Sequence, residues 1–171
     1  RLNAGYDISG NDDISNYAAR TSLSTVRFNY DMTGLQLTNI GNDKIQWETN
    51  KKLNFGIMSY LFDNRLGVDF NYYINNISDL LTMMTFKNPI GGINNYWTNG
   101  GALQNTGFEL TVTGKPIVSG DWHMEVGASI GHYSNKVKKL PNGDYTTSVY
   151  GDRNIFTSVG NPIGLFYGYQ T

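Results

Sequence analysis

The sequence predicts an all-β protein, an antiparallel transmembrane β-barrel segment with long loops at one end. Long stretches alternate between apolar and polar residues, and this period of two puts successive side chains on opposite faces of a strand. These stretches far exceed the about 5 to 6 residues of an ordinary strand. Short and long connections also alternate along the chain, as they do in barrels of the bacterial outer membrane.

The clearest element is a hairpin from Lys44 to Leu81 that turns at positions 63–65. One face of each arm is apolar and the other is polar, with Phe55 and Ile57 matched by Val68 and Phe70. At about 3.3 Å per residue, arms of roughly 15 to 18 residues are long enough to cross a bilayer at a tilt. A soluble sheet with one wet face gives the same alternation, so it is the length that favours the barrel.

The first part of the chain contains shorter elements. Residues 1–9 alternate as a strand and lead into the turn-rich positions 10–13. The segment Ile14 to Arg20 is compatible with a weak helical turn, and Leu23 to Thr38 predicts a small hairpin that turns at positions 32–34.

The second half predicts two further strands between long loops. The strands begin at Gln104 and Trp122 and are joined by a short connection at 116–121. The loops cover Thr82 to Leu103 and Asn135 to Asn161, and a final apolar segment follows at 162–169. Every long connection therefore falls at one end of the strands, which we assign to the cell exterior. The parity also predicts which residues contact lipid: Phe55, Ile57, Val68, Phe70, Phe108, Leu110, Val126 and Ala128.

Composition excludes several classes of protein. Thirteen basic and fourteen acidic residues give a net charge of −1, so there is no basic surplus for nucleic acid. Cysteine is absent, which excludes disulfides and cysteine metal sites. No apolar run approaches the roughly 18 residues of a membrane helix. The sequence has no signal peptide at its first residue, and we interpret the chain as an internal piece of a larger barrel domain.

The polar residues do not predict catalysis or a cofactor. His123 and His132 are too few and too isolated for a metal site. Glu48, Glu109 and Glu125 fall on the predicted lumen face, where polar residues are expected and no carboxylate spacing indicates a hydrolase. We therefore expect no enzyme activity, no cofactor and no metal.

Three aromatic residues and one asparagine in the predicted loops are the candidate contacts for a ligand or a covering protein. They are Trp97, Tyr96, Asn95 and Tyr150. Aromatic faces beside amide groups suit the stacking and hydrogen bonding of a sugar or a peptide, although such rings also form interface belts or pack within their own loop. Lys136, Lys138 and Lys139 lie near a strand end, where they form either a solvated charge cluster or a contact for anionic lipopolysaccharide.

Several motifs in order along the chain resemble the SusC/RagA-type TonB-dependent transporters. Trp47-Glu48-Thr49 followed by Asn54-Phe55-Gly56 is similar to one strand motif of that family, and Tyr72-Tyr73 followed by Asp79-Leu80-Leu81 is similar to the next. The family's later glycine and asparagine motifs are similar to residues 99–109, and its terminal "G.P.G..YGY" motif is similar to residues 160–169.

This resemblance implies a 22-stranded barrel in the outer membrane of a Gram-negative bacterium of the Bacteroidota type. It also implies active import of oligosaccharides or peptides, with an internal plug, power from the TonB complex and a SusD-like lipoprotein as a lid. The plug and the TonB-interacting segment have no counterpart in these 171 residues, so residues 1–171 are expected to form part of a single barrel domain.

Two alternatives remain open at the level of the sequence. One is a different TonB-dependent receptor, for siderophores or vitamins, which competition between glycans and metal chelates would separate. The other is a soluble or surface-exposed β-rich binding domain such as an adhesin. A soluble monomer with a cooperative thermal transition would indicate that second alternative.

Overall fold

The computed structural model describes residues 1–29, 32–150 and 153–167. These residues form ten β-strands in three antiparallel sheets, ordered β1-β4-β5-β6-β7, β10-β9-β8 and β2-β3. The strands are β1 (Leu2–Asn11), β2 (Ser22–Asn29), β3 (Met32–Asn39), β4 (Glu48–Leu61), β5 (Leu66–Ile90), β6 (Ile93–Ser119), β7 (Trp122–Lys139), β8 (Tyr145–Tyr150), β9 (Arg153–Thr157) and β10 (Leu165–Tyr167). Within the described ranges, no helix is long and apolar enough to cross a membrane.

The register of the five-stranded sheet gathers the apolar residues on one face. Directly paired residues share a face, and Leu2 pairs with Ile57, Ile57 with Phe70, Phe70 with Leu110, and Leu110 with Ile130. We call this the apolar face; its residues include Leu2, Ala4, Tyr6, Leu53, Phe55, Ile57, Val68, Phe70, Tyr72, Phe108, Leu110, Val112, Val126, Ala128 and Ile130. All eight residues predicted to contact lipid therefore lie on one face.

The opposite face, which we call the polar face, carries the closer packing. The buried glycines Gly56, Gly67 and Gly107 lie on this face. A Cβ added to Gly107 would lie 2.6 Å from the ring of Tyr73, and one added to Gly67 would lie 3.2 Å from the ring of Tyr60. Aromatic rings thus lie over glycines, as they do in stable sheets that need both curvature and register.

The connections are distributed as the sequence predicts. Short turns at positions 62–65 and 120–121 join β4 to β5 and β6 to β7 at one end of the sheet. At the other end lie the insertion between β1 and β4 and the chain that follows β7. Phe62, Asp63 and Asn64 have positive φ angles of 55°, 52° and 65°, which makes the first turn tight enough to fix the register of two long strands.

The prediction of two long loops in the second half is wrong, because both segments contain β-strands. Strand β5 continues through the predicted Thr82–Leu103 loop to Ile90, and β6 starts at Ile93 after a turn at Gly91 and Gly92. At about 3.3 Å per residue, the hairpin extends roughly 40 Å beyond Ser78, the last residue of β5 that pairs with β4. The predicted loop Asn135–Asn161 likewise contains the end of β7 and the paired strands β8 and β9. Glycines and asparagines caused the error, because they usually mark loops.

Smaller differences occur before β4. In the small hairpin Asn29 pairs with Met32 and Val26 pairs with Gly34, so the predicted turn residues 32–34 belong to β3. The predicted helical turn consists of i to i+3 turns, with the N–H groups of Ala18 and Arg20 bonded to residues three positions earlier. Positions 44–47 were predicted as strand, but β4 begins at Glu48.

At the end of the chain, β10 covers three residues of the final apolar segment and pairs with β9. Residues 168–171 of that segment lie outside the described part.

A charged substitution on the apolar face should destabilise the membrane-embedded protein. We expect Phe70→Arg to lower the free energy of unfolding in phospholipid vesicles by about 2 to 4 kcal/mol, because the guanidinium would be placed near the centre of the bilayer. Thr111→Arg on the exposed polar face of β6 is the control and should cost much less. Denaturant titration followed by tryptophan fluorescence measures both values, and equal costs would contradict the assignment of the two faces.

Gly107 should not tolerate a side chain. In Gly107→Ala the new methyl would meet Tyr73 at 2.6 Å and the backbone oxygen of His132 at 2.9 Å, so we expect a cost of about 1 to 3 kcal/mol. Gly114→Ala in the same strand is the control, because its nearest neighbour is Val126 at 3.8 Å. The same titration compares the two variants. A Gly107→Ala protein as stable as Gly114→Ala would show that Tyr73 does not pack on this glycine.

Candidate ligand-binding site on the long hairpin

The part of the β5–β6 hairpin above the sheet is set off by two irregularities in register. Asp79 has a φ of 57°, and the pairing shifts between Ser78 and Leu80 and again between Leu80 and Leu81. Such bulges bend a strand and strengthen its twist. Above them the ladder resumes, with Met83 opposite Trp97 and Met84 opposite Tyr96. The hairpin therefore changes direction where it leaves the sheet. We call this outer part of the hairpin, residues 79–100, the arm.

Asparagine side chains hold the base of this arm against the chain that precedes β4. The Asn99 side chain accepts a hydrogen bond from the backbone N–H of Gln46 at 2.9 Å and donates to its carbonyl at 2.7 Å. The same amide donates to the carbonyl of Asp79 at 2.7 Å. Asn42 donates to the carbonyl of Trp97 at 3.1 Å. Backbone groups that have no strand partner are thus paired by side-chain amides.

Glu48 has a structural function in the same region. One carboxylate oxygen accepts the backbone N–H of Leu81 at 2.8 Å, and the other accepts the side-chain amide of Asn11 at 3.1 Å. A carboxylate that accepts a backbone N–H forms one of the stronger kinds of hydrogen bond. Glu48 therefore connects β1, β4 and β5 at the point where the arm begins.

A cavity of about 760 Å³ lies between the arm and the segment that joins β7 to β8. Its apolar lining comes from both sides: Leu81, Met83, Met84, Trp97, Leu140 and Pro141. Tyr145, Asn142 and four threonines complete it. Asp, Glu, Lys, Arg and His are absent from the described residues of the lining. Its volume falls within the range of about 300 to 1,000 Å³ that is typical of ligand pockets.

Met84 fixes the two sides of the cavity relative to each other. It is 9% exposed, and its sulfur accepts hydrogen bonds from the Tyr96 hydroxyl at 3.7 Å and from the Asn142 amide at 3.6 Å. Pro141 lies directly over Gly100, where an added Cβ would approach to 2.6 Å. The joining segment is therefore packed onto the arm.

The structure separates the four sequence-predicted contact residues. Trp97 lines the cavity. Tyr96 lies across the strand from Met84 and contacts its sulfur. Asn95 is exposed and accepts a hydrogen bond from the Thr85 hydroxyl at 2.9 Å. Tyr150 is the last residue of β8, and its side chain lies outside the described part of the chain.

Sequence reasoning missed Met83, Met84, Leu140 and Pro141 as lining residues. Positions 80–85 read Leu-Leu-Thr-Met-Met-Thr, which does not alternate, so no period of two marked Met83 and Met84 as strand residues. Nothing in the sequence placed Leu140 and Pro141 beside them. The described residues contain no group of three or more His, Cys, Asp or Glu that could hold a metal ion.

Comparison with known proteins identifies the family. A family model described as TonB dependent receptor-like, beta-barrel, matches residues 1–169. The chain belongs to this family. Its five-stranded sheet is therefore a segment of a larger antiparallel transmembrane barrel, and the predicted fold class is confirmed.

Relatives also confirm the predicted resemblance to the SusC/RagA type. TonB-dependent receptor P3 of Formosa agariphila is 33% identical over 98% of this chain. TonB-dependent receptor SusC of Bacteroides thetaiotaomicron is 28% identical over 84% of it. Among solved structures, the RagAB peptide transporter matches 95% of the chain with a TM-score of 0.79 and 26% identity. The chain spans 18% of the length of receptor P3 and 18% of the matched RagAB chain.

Removal of the Asn99 amide should loosen the base of the arm. We expect Asn99→Ala to weaken the docking of residues 42–48 by roughly 1 to 3 kcal/mol, because the backbone groups of Gln46 lose their partners. Hydrogen exchange at positions 42–48 in the folded barrel measures this change. Asn95→Ala is the control, since its side chain is exposed and bonds only to Thr85 among the hydrogen bonds described. Unchanged exchange in Asn99→Ala would show that these bonds do not hold the segment.

Proposed function

We propose that this chain forms part of the wall and extracellular rim of an active nutrient importer in the outer membrane. The importer is of the SusC/RagA type and takes up oligosaccharides or peptides. The observation that carries the proposal is the five-stranded sheet, whose paired residues keep one continuous apolar face for lipid and one glycine-rich polar face for the lumen. The match to the RagAB peptide transporter over 95% of the chain supports the same proposal.

In this proposal the barrel performs no chemical reaction. Transport consists of capture of the nutrient at the extracellular rim, closure of a SusD-like lipoprotein lid, and rearrangement of a plug that the TonB complex drives from the inner membrane. The arm of β5 and β6 and its cavity belong to the rim, because the long connections of such barrels are extracellular. The exposed Lys136, Lys138 and Lys139 at the upper end of β7 are suited to contact with anionic lipopolysaccharide.

Family membership supports an importer over the adhesin alternative. A siderophore or vitamin receptor is still an alternative to the nutrient importer, since it would share the barrel architecture. The lining of the cavity argues against an anionic metal chelate, because its described residues include no cation, and an unpaired charge is costly to desolvate.

The proposed function predicts a specific loss of uptake. We expect a strain without the complete transporter to lose energy-dependent uptake of neutral oligosaccharides or of peptides, and to regain it with the wild-type gene. Uptake is measured with labelled oligosaccharides, peptides, a ferric siderophore and a corrinoid vitamin, with and without a protonophore. Affinity purification of the transporter should also recover a lipoprotein.

Two results would contradict this proposal. Unchanged uptake of every labelled compound in the deletion strain would contradict the proposal that the protein is an importer. A loss confined to the siderophore or the vitamin would establish the competing receptor class instead.

A further inference from the structure

We propose that the cavity between the arm and the β7–β8 segment binds an uncharged, apolar side chain of a peptide, rather than a sugar ring or a metal chelate. This inference rests on the proposed import function and specifies its substrate class. Three observations carry it: the neutral lining, the engagement of polar groups in that lining, and the two lining methionines, of which Met83 lies opposite Trp97 and Met84 opposite Tyr96.

The neutral lining excludes ligands whose recognition depends on charge. The described lining residues include no acidic or basic side chain, although the cavity holds about 760 Å³. A carboxylate, phosphate or chelated metal placed there would lose hydration without gaining an ionic partner, which costs several kcal/mol or more. A neutral group pays no such penalty, so the cavity selects for uncharged ligand surface.

Several polar groups on both sides of the cavity are already used by the fold. The Thr82 hydroxyl donates to the carbonyl of Thr98 at 3.3 Å, and the Thr85 hydroxyl donates to Asn95 at 2.9 Å. The Asn142 amide donates to the sulfur of Met84. A sugar ring presents several hydroxyls that each need a partner, and a buried hydroxyl without one costs about 1 to 3 kcal/mol. The polar lining residues whose side chains take part in no described hydrogen bond are all on β8: Tyr145, Thr146 and Thr147.

The methionines give the cavity an adaptable apolar wall. Met83 lies opposite Trp97 in the ladder and is 55% exposed, whereas Met84 is nearly buried. An unbranched thioether side chain adjusts to different shapes and makes favourable contacts with aromatic rings. Exposed methionines are typical of surfaces that accept several related partners. This wall is suited to side chains such as leucine or phenylalanine in peptides of varied sequence.

The binding experiment uses the complete transporter, purified with any lipoprotein that accompanies it. The probes are capped pentapeptides in which glycines flank a central Phe, Leu, Ser or Asp, together with a neutral gluco-oligosaccharide. Isothermal titration calorimetry should show the Phe and Leu peptides binding about ten- to a hundredfold more tightly than the Ser peptide. The Asp peptide should bind no more tightly than the Ser peptide, because the cavity offers its charge no partner.

Two variants and two matched controls assign the effect to the cavity. Trp97→Ala removes the aromatic wall, and Thr146→Asp places a charge in the exposed strand β8; each should reduce the preference for Phe over Ser about tenfold or more. Trp122→Ala and Thr25→Asp are the controls, since both positions are exposed and lie outside the cavity. Heat-modifiable gel mobility confirms barrel assembly. If the Trp97→Ala protein does not assemble, the preference for Phe over Ser in the Thr146→Asp protein alone decides the result.

The outcomes separate this inference from the proposed function. Equal affinity for the Phe and Ser peptides, an unaltered preference in Thr146→Asp, or tight oligosaccharide binding that Trp97→Ala abolishes would overturn the peptide side-chain site. In each case the uptake measurements on the deletion strain decide independently whether the chain belongs to an importer.

Discussion

The structure depends on a backbone ladder across the middle of β1, β4, β5, β6 and β7, where register shifts occur only towards the ends of the strands. In hydrocarbon a backbone N–H or C=O without a partner costs several kcal/mol, so a membrane-spanning sheet must pair its strands fully. Here the pairing from Leu2–Ile57 through to Leu110–Ile130 proceeds without a slip. Because a slip of one residue would exchange the two faces of a strand, this register is what keeps the residues of the apolar face on the same side.

The closest side-chain packing of the sheet is on the polar face, whereas in a soluble protein it would be in a hydrophobic core. Large apolar residues such as Leu2 and Ile130 remain 71% and 62% exposed, whereas Gly56, Gly67 and Gly107 are buried. Small residues on one strand accept large ones from the next, so the close packing is between polar-face neighbours. Exposed apolar surface of this extent is unusual in a soluble monomer and is typical of the outward face of a transmembrane barrel.

The candidate ligand-binding site lies where that regularity ends. The bulges at Asp79 and near Gly100 release the arm from the sheet, and Asn99, Asn42 and Glu48 then tie its base to neighbouring chain. A rigid base and a packed joining segment leave the cavity preformed, which lowers the entropic cost of binding. In an importer, such a preformed neutral cavity at the rim would capture its ligand before any larger movement.

The sequence by itself determined the fold class, the five long strands and the set of residues that share the apolar face, because a period of two puts alternate side chains on opposite faces of a strand. It also placed Trp97 among the candidate contacts. The tertiary structure decided the rest. A glycine can end a strand or lie within it, and here partners distant in sequence decide which. Leu37 packs against Gly91, Pro141 against Gly100 and Leu80 against Gly101. The cavity arises in the same way, because Met84 and Asn142 are 58 positions apart and only folding brings them into contact.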